Sequence, residues 1–360
     1  MRRSAMLVPN LTIGLDLGDR VSRICEVDAA GRVVNRASIS TNNPVMIEGY
    51  FAKREACRMV LEVGTHSPWV SRRLEALGHE VVVANPRAVY GTRRRRKRND
   101  DMDAEFLARQ GRADPSLLHP IRHRGPDAQA HLALLRSRDQ LVRARTKLIN
   151  HVRGSVKSLG GRLPKGGAEA FPRRAMQAMP QELKLAMEPL LEMVTELTQR
   201  IRAMDHRIQK VIEAQYPEAR RLQRIPGVGP VTSLAFVLLI EDPYRFERSR
   251  EVGAYFGLVP KLDESSESRP QLRITKSGDG LGRRLLVSSA HYILGPHGPE
   301  CDLRTHGHKL AERGGKNAKK RAVVAIARRL AVMMHRLWVA EADYDPHFLA
   351  KKRQQRRRVA

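Results

Sequence analysis

The sequence predicts an α/β N-terminal domain followed by a mostly helical remainder. Two patterns predict this. Short apolar runs of strand length, punctuated by glycine turns, recur as far as Ala84, whereas from Asp127 onward apolar residues recur near a 3.6-residue period. A third observation is charge: 66 Lys and Arg stand against 38 Asp and Glu in 360 residues, a net +28, with a pI near 11.0. That length allows two or more domains. A cation excess of this size calls for a polyanionic partner, most commonly a nucleic-acid backbone. The basic residues are spread along the chain rather than gathered beside one apolar helix, which argues against a membrane surface.

The elements follow in order. Residues 11–17 form a β-like run ending at Gly18, and 21–27 and 33–39 are two more. The segments between them are short enough for hairpin turns, so the domain opens with an antiparallel meander. Residues 44–53 read as a helix, 58–63 as a fourth strand, and 68–77 as a helix with proline in its first turn and Gly78 at its stop. Residues 80–84 form a fifth strand, closed by Asn85-Pro86, and a further helix covers 102–109. The order β-β-β-α-β-α-β-α belongs to the ribonuclease H-like layout, a mixed sheet.

Acids mark this domain. Asp16 lies in an apolar run, where a carboxylate is costly unless a charge or a metal compensates it. Glu62, flanked by Val60, Leu61 and Val63, has the same character. Adjacent strands would bring both to one edge. Arg93-Arg94-Arg95-Arg96-Lys97-Arg98 then precedes Asn99-Asp100-Asp101-Met102-Asp103. Six consecutive cations repel one another unless a polyanion neutralises them. Asp100 and Asp103, three apart, share a helical face, with Asp101 pointing elsewhere as a first-turn dipole partner. Asp16, Glu62, Asp100 and Asp103 would together hold two Mg²⁺ ions for phosphodiester cleavage, with the basic run gripping the strand being cut. His66, in the turn after Glu62, reads as a surface or supporting residue.

Residues 115–126 form a linker rich in His, Arg and Pro. Two long amphipathic helices follow, the first starting at Asp127 and the second over 182–212 with Pro189 as a kink or break, separated by a glycine-rich loop over 154–172. They suggest an antiparallel, coiled-coil-like oligomerisation arm with a cationic face. The C-terminal part is mostly α-helical. Its Ile225-Pro226-Gly227-Val228-Gly229 turn resembles a helix-hairpin-helix element, in which Gly227 and Gly229 would leave backbone N–H groups facing a DNA phosphate. Helices follow over 231–240 and 249–256, from Gly280 onward, and over 316–338, and the tail ends in a basic run. Between Gly257 and Gly278 lies a polar loop holding Ser265 and Ser266, with Arg269, Arg273 and Lys276 as phosphate-binding candidates. A serine there needs activation to act as a nucleophile. His291, His297, Cys301, His306 and His308 lie in what reads as a loop without zinc-motif spacing, and the three cysteines form no disulfide pattern. No signal peptide or membrane span is expected. The expected domains are 8–115, 116–215, 216–345 and a basic tail over 346–360.

Taken together, Asp16, Glu62, Arg98-Asn99-Asp100-Asp101-Met102-Asp103-Ala104, Ile225 to Gly229, Gly257-Leu258-Val259-Pro260 and Ile274-Thr275-Lys276-Ser277-Gly278 resemble the DEDD transposases of bacterial insertion sequences. That group includes Piv-type DNA invertases and bridge-RNA-guided recombinases. The resemblance spans roughly residues 10 to 340. It implies a RuvC-like domain binding Mg²⁺ (with Mn²⁺ as a substitute) through the four acids, and a second domain whose catalytic serine is Ser265. Ser266 and Leu272 stand where the family has glycine. The resemblance further implies a phosphoserine intermediate, a non-coding guide RNA, double-stranded DNA as substrate, a dimeric to tetrameric assembly, and a bacterial cytoplasmic location at the nucleoid. The alternative is a RuvC-like, Mg²⁺-dependent junction nuclease that hydrolyses DNA with water and forms no covalent intermediate. A sugar-kinase or actin-like ATPase would need a second glycine-rich phosphate loop, which the sequence does not offer after Gly64, and a nucleic-acid packing protein would not need the four acids.

Overall fold

Glycine turns and alternating apolar residues give the first strands their form in the computed structural model, which describes residues 10–86, 100–263, 268, 270, 272–315, 317–348 and 351. Strands β1 (Leu11–Asp16), β2 (Val21–Asp28) and β3 (Val33–Ser40) pair antiparallel, as the short turns require. After helix α1 (Pro44–Phe51), β4 (Arg58–Glu62) pairs parallel with β1, and after α2 (Ser67–Ala76), β5 (Glu80–Ala84) pairs parallel with β4. The five-stranded order is β3-β2-β1-β4-β5, the mixed ribonuclease H-like sheet. One face carries Ile13, Leu15, Ile24, Met59 and Leu61, packed with Ile47 and Phe51 of α1 and Val70 and Leu74 of α2. The other face is covered by α3 (Asp100–Ala113). Helix α3 begins before and ends after the 102–109 stretch expected from spacing, because its acidic first turn and small residues both continue the helix.

The segment after α3 is stitched to this sheet. A 3₁₀ turn spans Pro115–Leu118 with Leu118 buried. The Leu118 carbonyl accepts from Asn85 N–H, and Ile121 N–H donates to the Val83 carbonyl at 2.9 Å. The chain divides into two compact units, 1–125 and 126–360.

In the second unit, α4 (Pro126–Ser158) and α6 (Gln181–Gln215) form an antiparallel pair, with the short α5 (Phe171–Ala178) against them. The pairing is read from its contacts. Leu132 and Leu135 share a core with Ile208 and Ile212, whereas Val152 and Val156 pack with Met187 and Leu191. Helix α4 runs through Gly154, where a loop was expected, because Val152 and Val156 bury one helical face across it. Pro189 lies inside α6, which continues unbroken through it even though proline supplies no N–H to the carbonyl four residues back.

The rest of this unit packs around α8 (Pro230–Ile240), in which every residue from Thr232 to Ile240 is buried. Helices α7 (Pro217–Leu222), α9 (Glu251–Tyr255), α10 (Gly280–Leu294), α11 (Asp302–Ala311) and α12 (Ala318–Val339) enclose it. His291 stands on α10, and His306 and His308 stand on α11, so that stretch is largely helical rather than the expected loop. All three cysteines are buried and free, and burial pushes the Cys57 thiol up to about 11, so it stays protonated. Among the described residues no helix is long and apolar enough to cross a membrane.

Candidate active site

The last paired positions of β1 and β4 are Leu15 and Leu61, so Asp16 and Glu62 follow side by side at the carboxyl ends of two parallel strands. Side chains alternate along a strand. Asp16 therefore shares a face with Gly14, and Glu62 shares one with Val60. Both are the face under α3. A Cβ on Gly14 would lie 2.0 Å from the Ala104 carbonyl oxygen, and one on Gly111 would lie 2.2 Å from Val60 Cγ2. The missing side chain of Gly14 thus lets sheet and helix backbones touch, and that of Gly111 lets the helix rest on the Val60 side chain.

The direction of α3 fixes where its acids lie. At its C-terminal end, Arg112 donates to the Ala29 carbonyl at 2.9 Å, and Arg109 donates to the Gly31 carbonyl at 2.7 Å, both in the β2–β3 turn. At its N-terminal end, Asp101 lies 3.6 Å from the guanidinium of Arg23, the residue paired in register with Asp16. Helix α3 therefore runs antiparallel to β1 and sets its first turn at the carboxyl ends of β1 and β4. Asp100 and Asp103 precede Ala104, Leu107, Ala108 and Gly111, the buried residues of α3, at three- and four-residue spacing, which puts both acids on the sheet side. Asp101 turns toward β2. Beside it, Arg36 and Arg109 bond Glu105 and hold its carboxyl below the usual range.

Asp16, Glu62 and Asp103 are half-buried and Asp100 is exposed. The structure brings these four acids to one end and one face of the sheet. Among the described residues it draws no three of the His, Cys, Asp or Glu side chains into a metal-binding cluster. Carboxylate oxygens at a partly exposed strand edge suit a hard divalent cation that keeps several waters, so donor chemistry and location fit Mg²⁺. The cationic run Arg93 to Arg98 lies outside the described residues.

The turn after Glu62 holds features that the sequence did not announce. His66 stands 3.4 Å from Asp19 and accepts from Trp69 Nε1 at 3.1 Å. Ser67 Oγ lies 2.9 Å from His123 Nε2. Burial, with the neighbouring cations Arg72 and Arg124, lowers the His123 pKa and favours the neutral ring. Fifty-six residues separate the partners, and no local spacing could have signalled the pair.

In the second unit, Gly257 and Gly278 seat the base of the polar loop. A Cβ on Gly278 would fall 1.9 Å from the Tyr255 carbonyl, and one on Gly257 would fall 2.6 Å from Ser277 N. From there two backbone segments pair: Lys261 N–H donates to the Arg273 carbonyl and Thr275 N–H to the Val259 carbonyl, each at 2.9 Å. Arg273 and Lys276 are exposed on this stem. Ser265, Ser266 and Arg269 lie outside the described residues. In the same unit, Gly227 takes a positive φ of 76° and Gly229 caps the start of α8. Their turn lines an open cavity of about 460 Å³ with Gln223, Thr232, Ser288 and Tyr292.

Comparison with known proteins covers both units. Residues 13–160 match a DEDD transposase model of the IS110 type, and residues 219–302 match the model described as Transposase IS116/IS110/IS902 family. The transposase for insertion sequence element IS1111A of Coxiella burnetii is 27% identical over 339 residues, covering 92% of this chain and 90% of that one. The transposase for insertion sequence element IS1328 of Yersinia enterocolitica is 30% identical over 294 residues, covering 80% of this chain and 85% of that one. With matches to both units and relatives aligned over most of their length, this chain belongs to the IS116/IS110/IS902 family of transposases.

Proposed function

We propose that this transposase cuts and rejoins DNA through a serine-linked intermediate assisted by a divalent metal. The observation that carries the reading is that Asp16, Glu62 and the acidic first turn of α3 lie at the carboxyl edge of one sheet. Asp16, Glu62, Asp100 and Asp103 would hold Mg²⁺, two ions per site, with Mn²⁺ as substitute. Bound there, the metal would supply charge neutralisation at the phosphodiester.

Ser265 is the nucleophile. Its Oγ bonds to phosphorus as the bond from phosphorus to one deoxyribose oxygen breaks. The serine proton passes to a base, and the departing oxygen takes a proton as a hydroxyl. The phosphoserine conserves the bond energy, so a second DNA hydroxyl reverses the step and completes strand transfer. Arg269, Arg273 and Lys276 grip phosphates around the serine, and Arg93 to Arg98 follow the backbone near the acids. The hairpin at Gly227 and Gly229 offers backbone N–H groups at the start of α8 to another phosphate. A charge of +28 suits a protein that binds a guide RNA as well as DNA, with base pairing selecting the DNA while the protein holds its backbone. The assembly in this reading is a homo-oligomer, a dimer to tetramer, with the α4–α6 pair as its arm.

Strand cleavage of element-end DNA in Mg²⁺, measured on the wild type, Asp16→Asn and Glu62→Gln, tests the acid site. Both variants should lose at least about a hundredfold in rate while still binding DNA. Cleavage at wild-type rate in either variant would remove that residue from the site.

A further inference from the structure

The turn that follows Glu62 is clamped by a residue from a distant part of the chain. Gly64 N–H donates to Ser67 Oγ at 2.9 Å, and Ser67 Oγ donates to the Gly64 carbonyl at the same distance. Ser67 has one hydroxyl proton, already committed to that carbonyl. His123 Nε2, 2.9 Å from the same oxygen, is then the donor of the third bond. Ser67 is fully buried. It is therefore a fastening point rather than a nucleophile.

The clamp has something to restrain. A Cβ on Gly64 would meet nothing within 4 Å, so at this position no packing limits the turn and glycine adds its own backbone freedom, while the preceding Val63 is tied to β5 by its N–H to the Ala84 carbonyl at 3.2 Å. His123 itself is placed from two sides. Ile121 is bonded to Val83 on β5, and the Arg124 carbonyl accepts from Arg72 of α2 at 3.1 Å. The ring is thus pinned to the sheet and to α2 while it holds the turn that leaves β4.

We propose that His123 is a positioning residue for Glu62. Through Ser67 it fixes the Gly64 turn, and so fixes the end of β4 from which Glu62 presents its carboxylate to the divalent metal. The inference rests on the metal-site reading above. Glu62 enters the site as the last residue of a strand, with one residue between it and the turn. A loosened turn lets that carboxylate wander, and metal affinity falls before the fold does. Groups that orient metal ligands contribute about 10- to 100-fold to affinity or activity.

The experiment uses full-length protein, without DNA, and Mn²⁺ as the probe, with free Mn²⁺ followed by electron paramagnetic resonance. Four proteins are compared: wild type, Glu62→Gln, His123→Phe and His123→Gln. Phenylalanine keeps a ring of similar bulk and removes only the donor, whereas the glutamine amide can donate to Ser67 again. Thermal midpoints and duplex-DNA affinities are measured alongside. The account expects His123→Phe to weaken Mn²⁺ binding about tenfold and His123→Gln to return it to within about threefold of wild type, with DNA affinity unchanged in both. Equal Mn²⁺ affinity in wild type and His123→Phe would overturn the inference. So would a loss shared by both His123 variants and accompanied by lower thermal midpoints, which marks a structural role alone. Mn²⁺ binding that is absent in wild type, or unaltered by Glu62→Gln, would instead overturn the metal site on which the inference stands.

Discussion

Gly14 lies two residues before Asp16, and its missing side chain decides how near α3 approaches the sheet. A Cβ there would fall 2.0 Å from the Ala104 carbonyl and 2.6 Å from Ala108 N, both backbone atoms. Neither can swing aside as a flexible side chain would. Gly14→Val should therefore cost about 3 kcal/mol of stability in urea unfolding, and cleavage should fall further than stability does because the first turn of α3 moves off Asp16. A variant as stable and active as wild type would show that α3 adapts. At this scale the sequence was partly legible. Asp16 and Glu62 stood out because charge in an apolar run is costly. Gly14 and Gly111 did not, because a glycine placed for close approach looks like any other until its partner is known. His123 read as part of a linker, since its partner Ser67 lies across the fold.

At the scale of elements, α4 and α10 are joined by one half-buried carboxylate. Asp139 accepts from Arg284 at 2.8 and 3.0 Å and from Arg143 at 2.9 Å. Bonding to Arg284 holds the Asp139 carboxyl below its usual range, with Arg143 adding to the effect. A lowered folded pKa means the contribution is complete above the unfolded value of about 4. It is lost as pH falls through the folded value. Asp139→Asn should lose about 1 kcal/mol at pH 7, given the partly exposed arginines, and its stability should fall less steeply than wild type on acidification. Urea unfolding across that range reads both effects, and parallel pH curves would contradict the assignment. The long helices themselves were legible from their apolar period. The continuation of α4 through Gly154 was not, because the neighbouring glycines and prolines signal a break while tertiary burial of Val152 and Val156 sustains the helix. The paired stem below the polar loop was hidden for a related reason: Gly257 and Gly278 are close-packing residues, and their partners are backbone atoms that no sequence pattern displays.

For the whole molecule, charge decides the behaviour. Net +28 makes DNA affinity strongly salt-dependent, because each phosphate neutralised releases condensed counterions. Replacing Arg93, Arg94, Arg95, Arg96, Lys97 and Arg98 with glutamine should lower the slope of log affinity against log salt by roughly 3 to 5. Fluorescence anisotropy at several salt concentrations measures it, and an unchanged slope would place that run away from the DNA. Composition made the polyanionic partner legible at once, while the chemistry proposed for it rests on one serine, Ser265. The most direct test of the central claim is a denaturing gel for covalent protein–DNA adducts, run with element-end DNA, Mg²⁺ and copurified RNA on wild type and Ser265→Ala. The account predicts an adduct with the wild type and none with Ser265→Ala, which should also lose strand transfer. Cleavage undiminished in Ser265→Ala, with no adduct from either protein, would contradict it and mark the chain as a hydrolytic nuclease.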